Sequence, residues 1–459
     1  MIEAYLLIDF GSTYTKLTLV DINNATIIAT SKAITTVETN IMDGFDEAFK
    51  KMNYDHQQIK ISKKLACSSA AGGLKMVTIG LVPELTVEAG KRAALGAGAR
   101  VLKSYSYELS NAEITEIKAM KVDIILLSGG TDGGNKAIII ENARKIAKNL
   151  TNIPIIVAGN KCAYDEIETI FTEYNISYIL TENVMPKLNQ IEVVAVREQI
   201  RKVFMDNIIK SKGMDKAESF TDGILMPTPA AVLKASEILA KGTSKADGFG
   251  DLIVVDIGGA TTDVHSLAAG FPTKAGINLK GLQEPFAKRT VEGDLGMRYS
   301  ALALLEASGE KNFYDYGIKE NIYAKCDFRH QVVDFVATTS EEIKFDEAMA
   351  KVATKLAINR HVGMVEVAYT PLGEVFNQYG KDLLEVKYLI GTGGILVNSE
   401  NPFDILKEGL FSKQEPTLLK PIAPEIKVDN MYILSAMGLL AFDLPDCALK
   451  IMKKYIIDK

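Results

Sequence analysis

Hydrophobic and polar positions alternate with period two over residues 4–10, 15–22 and 25–31. This predicts three successive strands, with the second turn at Asn23-Asn24. Residues 40–52, NIMDGFDEAFKKM, read as a helix capped near Asn40 or Asp43, and 64–69, KLACSS, as a short strand. Here Cys67 reads as a packed thiol, and Ser68 and Ser69 as a polar strand exit. Residues 86–103 predict a helix in which Gly90, Ala94 and Ala97 form a row of small side chains, suited either to an external contact or to close packing inside one lobe. From 121 to 181 near-continuous apolar runs alternate with helical stretches, a βαβαβ pattern expected of a parallel sheet covered on both faces. Further helices are predicted at 188–212, at 226–241 with a proline start, at 341–361 and at 429–443. In the last of these Ser435, Ala436 and Gly438 could cross closely against 226–241.

Composition narrows the class. The chain of 459 residues is 47% hydrophobic and 24% charged, ordinary for a folded protein and long enough for several domains. A net charge of -6 and a pI near 5.6 give no reason to expect nucleic-acid or anionic-membrane binding. Cys67, Cys162, Cys326 and Cys447 are too far apart for a zinc knuckle or a disulfide framework. No apolar run approaches the ~20 residues of a membrane span, and MIEAYLLIDF carries no basic leader, so a cytoplasmic location is expected.

The candidate chemistry lies in two glycine turns. Residues 254–264, VVDIGGATTDV, run from a buried strand through Asp256 and Gly258-Gly259 to Thr261, Thr262 and Asp263. Residues 6–20, LLIDFGSTYTKLTLV, repeat the grammar with Asp9, Gly11, Ser12, Thr13, Thr15 and Lys16. Either unit alone is compatible with a structural hairpin. As a facing pair they would clamp a polyphosphate, offering backbone N–H groups and hydroxyls while each aspartate holds hydrated magnesium. Lys16 reads as a phosphate contact or an outward surface lysine, and Asp263 as a ligand of a metal-bound water or a strand cap. The turn Gly391-Thr392-Gly393-Gly394 would let an adenosine approach the backbone. The loop 128–135, SGGTDGGN, with Asn160 and Lys161, reads as a ligand-bearing edge or a tight crossover. His265 has no second histidine at ligand spacing and reads as a satisfied polar contact.

Five ordered elements, phosphate-1 at 9–16, a connecting helix at 226–241, phosphate-2 at 256–263, the adenosine turn at 391–394 and a second connecting helix at 429–442, resemble the superfamily of actin, sugar kinases and heat-shock chaperones. More closely, VVDIGGATTDVHSL, VEGDLGMRYS, LLSGGTDGGN and LIGTGGILVN resemble the glutamate mutase accessory protein L family. The resemblance implies a two-lobed actin-like ATPase fold of α/β class, built from duplicated ribonuclease H-like domains around an interlobe nucleotide cleft. The first lobe would span 1–241, with an inserted or expanded region at 86–210, the second 251–428, and 429–459 would return to the first. It also implies ATP/ADP and Mg2+ as cofactors, with Asp9, Asp256 and Glu292 as catalytic residues. The expected function is an ATP-hydrolysing reactivating chaperone whose partner is an adenosylcobalamin-dependent mutase, glutamate mutase or a related aminomutase. No D-x-H-x-x-G motif surrounds His56, His265, His330 or His361, so the cobalamin is expected on the client. A small-molecule kinase and a nucleotide-binding assembly protein use the same clamp and are the alternatives, and the oligomeric state is open between monomer and homodimer.

Overall fold

The computed structural model describes every residue except 37–39, 70–73, 209–216, 218–219, 372 and 458–459. The end of the helix expected at 188–212 and the stretch that follows the strand at 64–69 therefore lie outside the described residues. Two sheets repeat one plan. In the first, β1 (Ile2–Phe10) pairs antiparallel with β2 (Tyr14–Asp21), and β2 antiparallel with β3 (Thr26–Ile34). On its other edge β1 pairs parallel with β4 (Ile59–Ser68), which pairs parallel with β10 (Ile224–Pro227). In the second, β11 (Leu252–Ile257) pairs antiparallel with β12 (Thr262–Leu267), and β12 antiparallel with β14 (Ala287–Glu292). β11 then pairs parallel with β17 (Tyr388–Thr392), and β17 parallel with β18 (Glu425–Asp429). Order and strand sense match over these five positions; the second sheet adds β19 (Ile456–Ile457), antiparallel to β18, and β13 (Ile277–Lys280), β16 (Gly373–Tyr379) and β15 (Met364–Thr370) form a separate small sheet.

Between β4 and β10 the chain builds a five-stranded parallel sheet in the order β6-β5-β7-β8-β9, from β5 (Lys75–Gly80), β6 (Arg100–Ser106), β7 (Ile124–Leu127), β8 (Ile155–Val157) and β9 (Tyr178–Leu180). Its last three strands, with helices Ala137–Asn149 and Tyr164–Glu173 between them, are the βαβαβ unit read from the sequence. The helix expected over 86–103 is corrected. It spans only Glu88–Gly96 (α1 below), because Gly98 turns the chain at φ +93° and β6 begins at Arg100. Its small residues pack inward, Gly90 against Leu126 and Ser128.

Helix Thr228–Lys241 (α2) and helix Leu434–Asp443 (α3) cross between the two main sheets. Ala231, Ala235, Leu239, Met437 and Leu440 share one core with Leu7 and Leu65 of the first sheet and Val254 and Ile390 of the second. The crossing is close because residue 438 is glycine: a methyl there would lie 1.9 Å from the Ala231 carbonyl oxygen. The helix expected at 429–443 starts five residues later, since Asp429 ends β18 and accepts from the N–H groups of Ile433 and Leu434 at 2.9 and 3.0 Å. Helix Ser340–His361 covers the outer face of the second sheet. No helix among the described residues is long and apolar enough to cross a membrane.

Candidate functional site: a cleft between two glycine turns

Both glycine turns close the same way. Gly11 N–H donates to the Tyr14 carbonyl at 3.1 Å, and Gly258 N–H to the Thr261 carbonyl at 2.9 Å. Gly11 has no room for a side chain, since a methyl would sit 2.5 Å from the Tyr14 oxygen. The turns face each other across one cavity of about 840 Å³: a methyl on Gly259 would lie 3.7 Å from Thr13 Oγ1. Asp9, Gly11, Ser12, Thr13 and Lys16 line it from the first sheet, and Asp256, Gly258, Gly259, Thr261, Asp263, Thr392 and Gly394 from the second.

Strand register decides which motif residues reach the cavity. Asp9 is paired with Lys16 and Asp256 with Asp263, so each pair shares a sheet face. Thr15 and Thr262 pair with Phe10 and Ile257 and take the opposite face. Thr15 meets Thr35 at 3.1 Å, Thr262 donates to the Leu295 carbonyl at 2.7 Å, and neither lines the cavity. Gly391 and Gly393 are also set back. Gly391 packs under Leu396 and Leu406, while Gly393, at φ +107°, crosses the Ile257 backbone where a methyl would come within 2.4 Å of its oxygen.

Asp9 is held from four directions. Lys16 Nζ stands 2.9 Å from Oδ2, and Ser435 Oγ of α3 donates to the same oxygen at 2.8 Å. Thr228 Oγ1 of α2 donates to Oδ1 at 2.7 Å, and Cys67 Sγ lies 3.6 Å away. The outward reading of Lys16 is thereby corrected: it is 16% exposed and its ammonium stacks 3.7 Å from the Tyr432 ring centroid. Burial would discharge this lysine, but Asp9, Tyr432 and Asp256 outweigh that penalty and hold it protonated.

Asp256 has no such support. It opens partly onto the cleft, yet its Oδ1 is shielded from solvent and makes no hydrogen bond. Burial, followed by the charge of Asp263, pushes its carboxyl up to about 7, with Lys16 pulling the other way. Asp263 spends one oxygen on Arg289, whose Nε and Nη2 stand 3.1 and 2.7 Å from Oδ2, and leaves Oδ1 buried and unpaired. Glu292, expected as a catalytic acid, lies outside the cavity lining and pairs with Arg360 at 2.8 Å. Burial raises its pKa against the pull of that arginine. The loop after it braces the second turn instead: Met297 and Arg298 N–H groups donate to Gly258 and Gly259 carbonyls at 3.0 and 2.8 Å, and Ser300 Oγ donates to the Ala260 carbonyl at 2.7 Å. His265, read as a satisfied contact, is buried with neither ring nitrogen hydrogen-bonded.

Sequence reasoning missed Thr228, Ser435, Tyr432 and Arg100, all of which line the cavity. The hydroxyls of Thr228 and Ser435 carry a weak signal, as polar residues in the first turns of two Ala- and Leu-rich helices. The SGGTDGGN loop is a tight crossover tied down by Asn160, which accepts from Gly133 N–H at 3.1 Å and donates to the Gly134 carbonyl at 3.0 Å.

The model of the MutL protein family matches residues 5–456. Protein MutL of Clostridium tetanomorphum is 61% identical over 459 residues, 99% of each chain. Among solved structures, gluconate kinase from Lactobacillus acidophilus is 10% identical, with 100% of this chain and 93% of that one covered at a TM-score of 0.34. Ethanolamine utilization protein EutJ from Carboxydothermus hydrogenoformans is 11% identical, with 97% and 89% covered at a TM-score of 0.28. By the family match and the near full-length relative, the chain belongs to the MutL protein family.

Proposed function

We propose that the protein is an ATP-dependent reactivating chaperone for an adenosylcobalamin-dependent mutase, glutamate mutase or a related aminomutase, and that it works by nucleotide-driven movement of two actin-like lobes. The observation that carries this reading is the pair of equivalent glycine turns facing one another across a single cavity, each with an aspartate on the cleft face of its strand. The matching order of the two main sheets supports the duplicated ribonuclease H-like plan.

The carboxylates fit a magnesium ion. Asp256 and Asp263 each keep a buried oxygen without a partner, and oxygen donors suit this hard cation. Among the described residues no three His, Cys, Asp or Glu side chains gather into a metal site of their own, which suits an ion completed by phosphate and water. Asp9 and Asp256 would hold it, with Asp263 contributing through its free oxygen, and the ion would supply charge neutralisation at the phosphates. Ser12, Thr13 and the Gly259–Thr261 backbone grip the phosphates on turns that Gly11 and Gly258 close, Lys16 adds a fixed positive charge, and Asp256 orients the attacking water. Thr392 and Gly394 line the adenosine side.

ATP bridges both turns and ADP loses contacts, so the two nucleotides favour different lobe angles. Reversing a 1:99 balance takes roughly 5.5 kcal/mol of differential binding. Two or three charge-assisted phosphate contacts at roughly 1.5–3 kcal/mol each supply that. The test is copurification with a cobalamin-dependent mutase, followed by recovery of mutase activity after inactivation with hydroxocobalamin. Recovery that needs ATP and this protein supports the reading. ATP turnover driven instead by a small acceptor, with no recovery, replaces it with a kinase.

A further inference from the structure

Arg100 belongs to the inserted sheet, yet it stands in the nucleotide cleft. It opens β6 directly after the Gly98 turn, and Gly98, Ala99 and Arg100 all line the cavity beside the two glycine turns. Its guanidinium reaches the second lobe, where a methyl on Gly293 would lie 3.3 Å from Nη2. Gly293 follows Glu292, the register partner of Thr262, so it stands one step beyond the strand pair that carries the second turn.

Lys16 and the other two arginines of the cleft are committed elsewhere. Lys16 is closed on Asp9, Arg289 on Asp263 at 2.7 Å and Arg298 on Asp346 at 2.8 Å. Lys32 stands over the Tyr14 ring, and Lys344 turns its ammonium toward Gly317, outside the cavity lining. Arg100 is the one cleft arginine whose side chain makes no hydrogen bond or ion pair among the described residues. Its backbone is fixed all the same. Its N–H donates to the Leu74 carbonyl at 2.8 Å, and Arg289 Nη1 donates at 3.0 Å to the Leu95 carbonyl in the last turn of α1. The Gly98 turn also abuts Pro227 at the head of α2. A preplaced, unpaired guanidinium beside a phosphate clamp is the arrangement that stabilises charge building up on a transferring phosphoryl group.

We infer that Arg100 is a catalytic arginine supplied by the inserted domain, contacting the terminal phosphate of ATP and carrying its loss to that domain. The inference rests on the clamp reading above. In the step it serves, a water oxygen bonds to the terminal phosphorus and the bond from phosphorus to the bridging oxygen breaks. The electron pair stays on ADP, and both water protons leave with the phosphate, one then passing to solvent. The five guanidinium donors meet the oxygens of the moving group. Once phosphate departs, Arg100 is again unpaired and the inserted sheet loses its hold on the cleft.

The test uses the full-length protein and its Arg100→Ala and Arg100→Lys variants, with melting temperature as a folding control. Three readouts are taken: kcat for ATP hydrolysis, the ratio of affinities for the imido analogue of ATP and for ADP, and rescue by free guanidinium ion. Arg100→Ala is expected to lower kcat by roughly 100-fold or more. The affinity ratio should fall toward one while ADP affinity stays within about threefold. Guanidinium should restore part of the rate, and lysine little of it. Unchanged kcat and ratio in a wild type that hydrolyses ATP would overturn the inference and leave the clamp standing. An equal fall in kcat and in ADP affinity would also overturn it, as general damage to the cleft. A wild type that neither binds nor hydrolyses ATP would sink the clamp reading, and Arg100 with it.

Discussion

Asp256 keeps a carboxylate oxygen buried and unpaired, an arrangement that costs stability until a cation or a donor arrives. Replacing it with asparagine should therefore raise the stability of the nucleotide-free protein by about 1–2 kcal/mol in urea unfolding. The same change should cut ATP turnover by roughly 100-fold or more. A variant that is less stable and still active would contradict this assignment. His265 and His361 give a second prediction. Burial, with Arg289 beside the first and Lys288 and Lys381 beside the second, holds His265 at about 3 and His361 well below its ordinary range. The unfolded chain protonates both near pH ~6.5 and the folded chain does not. Stability present above that pH is therefore lost as pH falls below about 6.5, by about 2 kcal/mol for His265 at pH ~5, with His361 acting in the same direction. Comparing urea midpoints at pH ~7.5 and ~5 checks it, and His265→Asn with His361→Gln should flatten the difference. The sequence named Asp9, Gly11, Ser12, Asp256 and Gly258 because aspartate–glycine spacing in a strand turn is local information. Thr15 and Thr262 were grouped with them by residue type, whereas strand register places them on the far face. Lys16 was ambiguous because its fate depends on Asp9 across the hairpin and on Tyr432, more than four hundred residues away.

At the scale of elements, α2 and α3 are the part of the fold whose spacing is set most tightly. Gly438→Ala should force the helices apart at the Ala231 carbonyl and cost about 1–3 kcal/mol, an overpacking penalty. Because Thr228 and Ser435 sit on those helices and both donate to Asp9, ADP affinity should fall as well. Unaltered unfolding and ADP binding in Gly438→Ala would show that the crossing is slack. Much at this scale could be read from the chain: the three opening strands, both connecting helices and the βαβαβ run carry strong periodicity. Strand β18 did not, because KVDN leads straight into an apolar helix and Asp429 serves at once as strand end and helix cap. The helix expected over 86–103 overran because alanine-rich continuity hid the stop that Gly98 imposes.

For the whole molecule, Arg289 joins the second glycine motif to the inserted sheet, with Asp263 on one side and the Leu95 carbonyl on the other. Arg289→Ala should leave ADP bound but weaken the link. Backbone amides of residues 88–106 should then exchange hydrogen at the same rate with ADP as with the imido analogue, whereas the wild type should distinguish the two. Equal exchange in the wild type would remove the inserted sheet from the nucleotide response. None of this long-range geometry was legible in sequence, since it depends on how a third sheet docks between repeats that announce only themselves. The seating of Asp9 has a consequence for biosynthesis. Its carboxylate takes partners from residues 16, 228 and 435, so the nascent chain must be synthesised beyond residue 435 before the first turn is set. A chain ending before residue 434 should fold its early sheets and still fail to retain ADP in equilibrium dialysis. Nucleotide capture would then report that synthesis has passed α3, and copies terminated before it would stay empty.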